Sequence, residues 1–236
     1  MMTNEQLIAE LNKYRLADLS DGMDALGLVN RGSMNPNMRP LRTGMEFKGF
    51  AYTVQLLPIQ GGVKACKTVD EWREELSRGC SDIYGFVDGI TTENAKNMVV
   101  VIDMGGIPGG VWGSEIAMNM MIRGISGAVI DGGCRDSYET NLEQANVFCT
   151  QRTFNHSYGR VTRGAINQPV RCAGVLVNPG DVVCADDDGV LVIPRERAEE
   201  VIQFARMQLE DDIKTRSSHY KKLGFAPDET LKRNQA

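Results

Sequence analysis

The chain has only two histidines, His156 and His219. That is too few for a histidine-rich transition-metal site, so any metal held here is expected to be hard and oxygen-ligated. Its six cysteines, Cys66, Cys80, Cys134, Cys149, Cys172 and Cys184, are scattered, with no CxxC pair and no zinc-type spacing. They read as free thiols packed as small apolar groups. No apolar run reaches the roughly 18 residues of a membrane span. The first residues, Met1-Met2-Thr3-Asn4-Glu5-Gln6, lack the basic and apolar regions of a signal peptide, and the expected location is cytoplasmic. Basic side chains (26) are outnumbered by acidic ones (31), for a net charge of −5. Phosphate binding needs a basic surface, so this balance argues against nucleic acid as a partner. There is no GxGxxG, no internal repeat and no low-complexity linker. The 236 residues read as one α/β domain, with residues 195–236 as a helical C-terminal extension.

What is present is a set of short apolar runs broken by glycine. Leu7, Ile8 and Leu11 predict a short amphipathic helix over 4–13, and Leu19, Met23 and Leu26 a second over 18–26 with Gly27 as its stop. Strands are expected near 47–57, 98–103, 127–131 and 147–149. A helix is expected over 112–123, ending at Gly124, with Met118, Met120 and Met121 as core filler. Val69–Leu76 has a helical pattern, whereas Asp82–Ile90 resists assignment. Arg171–Val177, Val182–Ala185 and Val190–Ile193 read as strands joined by tight turns, followed by a charged helix over 195–220 in more than one piece.

The run Gly127-Ala128-Val129-Ile130-Asp131-Gly132-Gly133-Cys134-Arg135-Asp136 is the most informative. A buried strand ends in two glycines, which let the backbone lie close to a ligand. Arg135 can clamp a carboxylate with two parallel hydrogen bonds, and Asp136 can hold a hard divalent cation through oxygen. The plainer reading is an ion pair at a helix start. Cys134 sits inside the run, but a nucleophilic thiol needs a nearby base and histidines are scarce. A second glycine-rich loop, Gly105–Gly113, opens the 112–123 helix and presents backbone N–H groups near Gly113, Ser114, Glu115 and Ile116 to an anion. Glu115 either reaches that site or only complements the helix dipole. Asp103 ends a strand nearby in a structural or supporting role. Asp186-Asp187-Asp188-Gly189 lacks the alternating spacing and distal Glu of a calcium loop and reads as a turn.

Several blocks, in order, carry a resemblance. Leu19–Gly27 resembles an "SDAL" helix, departing from it at Gly22. Gly49–Val54 is similar to "GpAfTV", and Trp112–Gly124 to "WGELLATAAxxRG". Asp131–Asp136 is similar to "DGxxRD", and Gly174–Val190 to "GVxVxPGDxxxADxDGV". Over roughly residues 15–225 the chain resembles the RraA-like family. That family holds metal-dependent 4-hydroxy-4-methyl-2-oxoglutarate/4-carboxy-4-hydroxy-2-oxoadipate aldolases and regulators of ribonuclease activity.

The resemblance implies a swivelling β/β/α domain and a homotrimer, or a hexamer built from trimers. It implies Mg or Mn on Asp136, with Arg135 binding a pyruvyl carboxylate and stabilising an enolate. Backbone amides at Gly113–Ile116 would hold other substrate oxygens. The family's acidic residue at the helix start aligns with Ser114, with Glu115 one position later. Glu210 is matched to a Glu that reaches a neighbouring subunit's site. The expected activity is a metal-dependent lyase on a small 2-oxo acid, by retro-aldol cleavage to pyruvate or by oxaloacetate decarboxylation, with Arg135, Glu115 and Glu210 as catalytic candidates. The alternatives are a non-enzymatic ribonuclease-regulator-type binding protein, or a lyase or hydro-lyase on another oxo acid. The segment 58–97 matches the family poorly, which predicts an altered pocket.

Overall fold

Two apolar clusters organise the chain, described here over residues 2–233 of a computed structural model. Helices α1 (Asn4–Leu11) and α2 (Leu16–Ala25) form where the sequence predicts them. Thr3 caps α1 by accepting from the Gln6 N–H, with the Gln6 side chain returning the bond in a capping box. A two-residue strand β1 (Arg39–Pro40) precedes the long β2 (Phe47–Pro58). Helix α3 runs from Val69 to Tyr84, eight residues past the expected end at Leu76, and continues into a 3-10 turn over Gly85–Gly89. Its second half has only Ile83 buried, so the sequence there carries no strong apolar period.

Next come β3 (Met98–Asp103), β4 (Gly110–Trp112), α4 (Ser114–Arg123) and β5 (Gly127–Cys134). They are followed by α5 (Ser137–Leu142), β6 (Val147–Arg152) and β7 (Val161–Ile166). β7 has mostly half-buried residues, and no apolar alternation announces it. The run expected as one strand over 171–177 is a hairpin of β8 (Val170–Cys172) and β9 (Val175–Val177), because Ala173 and Gly174 both take positive φ. Strands β10 (Val182–Asp186) and β11 (Gly189–Ile193) are joined by the three-aspartate turn. There the Asp188 N–H donates to the Asp186 carboxylate, confirming a turn rather than a calcium loop. The terminal helix is a single α6 (Ala198–Leu223) after a short 3-10 turn, not several pieces.

The sheet runs β1-β6-β5-β3-β2-β10-β11, with β4 on β5 and β7 on β2. Its centre, β6-β5-β3-β2, is parallel, and Val99–Ile102 and Ala128–Ile130 are wholly buried there. Parallel strands covered on both faces need such unbroken apolar runs. Arg39 in β1 donates to the Asp188 carbonyl at 2.8 Å, joining the two ends of the sheet into a nearly closed barrel.

Helices α1, α2 and α6 pack together against β10 and β11. Gly22 lies where α2 meets α6. A Cβ there would sit 2.6 Å from the Val201 carbonyl oxygen, which explains why glycine stands at this position of the motif. Gly22→Ala gains about 1 kcal/mol of helix propensity but forces two buried helices apart, an overpacking cost of about 1–3 kcal/mol. The expected result is net destabilisation, read as a lower urea midpoint with an unchanged slope.

Candidate active site

The C-terminal ends of parallel strands are where α/β folds place their ligands, and a cleft opens there. Its cavity volume is about 490 Å³. The end of β5 supplies Arg135 and Asp136, and the start of α4 supplies Gly113, Glu115, Ile116 and Asn119. Helix α3 adds Cys80 and Tyr84, the turn after it Val87 and Asp88, and the loop after β6 adds His156.

Asp136 has φ 53° and ψ 41°, the left-handed conformation, at the N-cap of α5. This turns its carboxylate back toward α4. Its Oδ1 accepts from Arg135 Nε at 3.2 Å and its Oδ2 from the Ser114 N–H at 3.4 Å. Both side chains keep about a third of their surface exposed. An ion pair this open stabilises the fold little, so both groups stay available to a ligand. Gly113 passes directly beneath, and a Cβ on it would lie 2.4 Å from Asp136 Oδ2. The Arg135 N–H donates to the Trp112 carbonyl at 2.8 Å, locking the pair to β4.

The structure brings Gly113, Glu115, Ile116, Arg135 and Asp136 together, and it separates Ser114 from Glu115. The Ser114 hydroxyl turns away to the carboxylate of Glu143, while Glu115 lines the cleft. Of the two neighbours, Glu115 is therefore the one that shares the cleft with Arg135. Glu210 lies exposed on α6, in the helical layer, and does not line the cleft of its own chain. Cys134 is wholly buried, and burial pushes its thiol well up, as a packed thiol requires. Asp103 belongs to a separate polar recess with Asp131 and Arg171, where burial raises its carboxyl. Met120 is buried as expected, but Met118 and Met121 are exposed beside Ile122. At 100° per residue the inward face of α4 holds Ala117 and Met120, which leaves those neighbours outside.

Cys80, Tyr84, Asn119 and His156 line the cleft without having been singled out from the sequence. Cys80 and Tyr84 are four residues apart, one turn of helix, a signal hidden by ending the helix too early. Burial raises both the Cys80 thiol and the Tyr84 hydroxyl.

A family model described as "Aldolase/RraA" matches residues 16–192. The chain belongs to the RraA-like family. "Protein DlpA" of Legionella pneumophila is 32% identical over 216 residues, which cover 90% of this chain and 32% of DlpA. A Halalkalibacterium halodurans protein named "Putative 4-hydroxy-4-methyl-2-oxoglutarate aldolase" is 36% identical over 121 residues, 51% of this chain and 57% of that one. The chain thus spans about a third of the first relative and just over half of the second. Among solved structures, Streptomyces coelicolor RraAS2 superposes with a TM-score of 0.75 at 23% identity, covering 92% of this chain and 98% of that one. It is described as "an unusual member of the RNase ES inhibitor RraA protein family". At that identity the likeness establishes the fold, the swivelling β/β/α arrangement of the family. Among the described residues no helix is long and apolar enough to cross a membrane.

Proposed function

We propose that this chain is a divalent-metal-dependent lyase acting on a small 2-oxo acid. It would cleave a 4-hydroxy-2-oxo acid to pyruvate by retro-aldol reaction, or decarboxylate oxaloacetate. The observation that carries this reading is the one-third-exposed Arg135–Asp136 pair, set against the N-terminus of α4 with Glu115 lining the same cleft. A binding surface has no need of a guanidinium and three carboxylates, Asp88, Glu115 and Asp136, around a concave cleft. The aldolase name of the Halalkalibacterium relative supports the same direction.

Among the described residues no three His, Cys, Asp or Glu side chains form a closed metal cage. Asp136, Glu115 and Asp88 are instead carboxylates spread around one open cleft. That donor set suits Mg or Mn, a hard ion that keeps several waters and takes further oxygens from its substrate. Asp136 would hold it, and the ion when bound polarises the 2-oxo group as a Lewis acid. Arg135 fits the substrate carboxylate as a two-pronged donor. It also faces the charge that develops as the C3–C4 bond breaks. The first amides of α4, with the helix dipole behind them, add donors to the same anion. Glu115 moves the proton of the C4 hydroxyl through a water. Decarboxylation passes through the same enolate without that last step. The exposed apolar face of α4 and α5, with Ile122, Tyr138 and Leu142, supports the trimer or hexamer implied by the resemblance.

The test is pyruvate release from oxaloacetate and from 4-hydroxy-4-methyl-2-oxoglutarate, with Mg, with Mn and with chelator. Release that stops with chelator and returns with metal is expected. No pyruvate under any condition sinks the lyase reading and favours a regulator-type binding role.

A further inference from the structure

The mechanism above leaves unused a neutral hydrogen-bond donor in the cleft wall, and its orientation is fixed by the backbone. His156 lines the same cleft as Arg135 and Asp136. The Tyr158 N–H donates to His156 Nδ1 at 2.8 Å. A ring nitrogen that accepts an amide proton carries none of its own, so the neutral ring holds its proton on Nε2. Nε2 is directed at Cys80 Sγ, 3.9 Å away. Burial, Arg135 and Arg160 all disfavour the imidazolium, against the weaker opposite pull of Asp136.

The segment carrying the ring is held on several sides. Gly110 in β4 pairs with His156 as an isolated bridge, and the Gly110 N–H donates to the Asn155 carbonyl at 2.9 Å. Arg160 donates to the His156 carbonyl at 2.8 Å. The Tyr158 ring packs edge-on against Trp72 of α3, with centroids 5.3 Å apart, and its hydroxyl donates to Glu75 at 3.2 Å. The segment 58–97 thus supplies Cys80 to this pair and holds its partner loop in place.

We propose that His156 is a substrate-contacting donor, offering Nε2–H to an oxygen of the anionic ligand that Arg135 holds. Building on the 2-oxo acid reading, it gives that site a second donor. The Cys80 sulfur is only its resting partner. A thiol is a weak acceptor, whereas an N–H bond to a charged oxygen is roughly twice as strong as a neutral one, so an incoming carboxylate or enolate oxygen displaces the sulfur. With Nδ1 occupied, the ring is no base. It acts as a fixed neutral electrophile, polarising without transferring a proton.

The test uses the full chain with 15N-labelled histidine, and Mg with oxalate as a compact dianionic probe. The imidazole spectrum at neutral pH is expected to show Nδ1 bare and Nε2 protonated for His156, with the Nε2–H resonance moving when oxalate is added. His156→Phe keeps a ring but no donor and should weaken oxalate binding roughly 10-fold, as expected for one hydrogen bond to a charged group. His156→Gln, which restores an N–H, should recover part of that loss. A proton on Nδ1, a resonance that ignores bound oxalate, undiminished binding by His156→Phe, or no oxalate binding to the unaltered chain would each overturn the proposal. Oxalate that shifts the Nε2–H in a chain releasing no pyruvate would uphold the donor and remove the lyase reading. Pyruvate release whose KM is untouched by His156→Phe would do the reverse.

Discussion

Replacing Arg135 by Lys is expected to lower kcat/KM for pyruvate release by roughly 10²–10³-fold, the range seen when one donor to a developing oxyanion is lost. Charge is conserved in this substitution, but geometry is not. A guanidinium presents a planar fork to both oxygens of a carboxylate, while an ammonium is a compact, strongly hydrated point charge on a flexible stem. The backbone here places that fork with care. The Arg135 N–H is bonded to the Trp112 carbonyl, and its Nε rests on Asp136 Oδ1. Stability should barely change, because the pair is about one-third exposed and such pairs contribute little. The assay is steady-state pyruvate release beside a thermal melt. A Lys variant with full kcat/KM would show that the fork makes no contact in the transition state.

The parts of this arrangement legible in the sequence are those fixed by local physics. A buried parallel strand must be apolar throughout, so Val99–Ile102 and Ala128–Ile130 announce themselves. The turn chemistry of Asp186–Gly189 is equally local, and so are the helix stops at Gly27 and Gly124. The run from Gly127 to Asp136 joins a strand, a break and two opposite charges in sequence order, and the cleft's centre follows from it.

The other wall of the cleft was hidden because it is assembled from distance. Cys80 lies 76 residues from the His156 it faces, and neither belongs to a local pattern. The directions of Ser114 and Glu115 illustrate a finer limit. Adjacent positions on a helix point about 100° apart, so a one-residue alignment question becomes a choice between cleft and neighbouring helix. Only the placement of α5, with Glu143 waiting for the Ser114 hydroxyl, decides it.

The left-handed backbone at Asp136 permits a sharper experiment than truncation. Asn tolerates φ 53° about as readily as Asp, whereas Ala at that position adds strain of about 1–2 kcal/mol. Asp136→Asn therefore keeps the turn into α5, and its amide oxygen can still accept from the Ser114 N–H. What it removes is the charge that would hold a divalent ion. Lewis-acid polarisation contributes several kcal/mol to such reactions, and a loss of about 4 kcal/mol corresponds to roughly 10³-fold in rate. The Asn variant is expected to melt near the unaltered chain, bind Mg or Mn too weakly to follow by calorimetry, and lose about 10³-fold in kcat. Asp136→Ala should lose the same activity and, in addition, stability. If Asp136→Asn still released pyruvate at the original rate in a chelator-sensitive reaction, the ion would be held by other groups, and Glu115 would be the first to examine. If both variants kept full activity without metal, Arg135 and the α4 amides alone would have to account for the enolate.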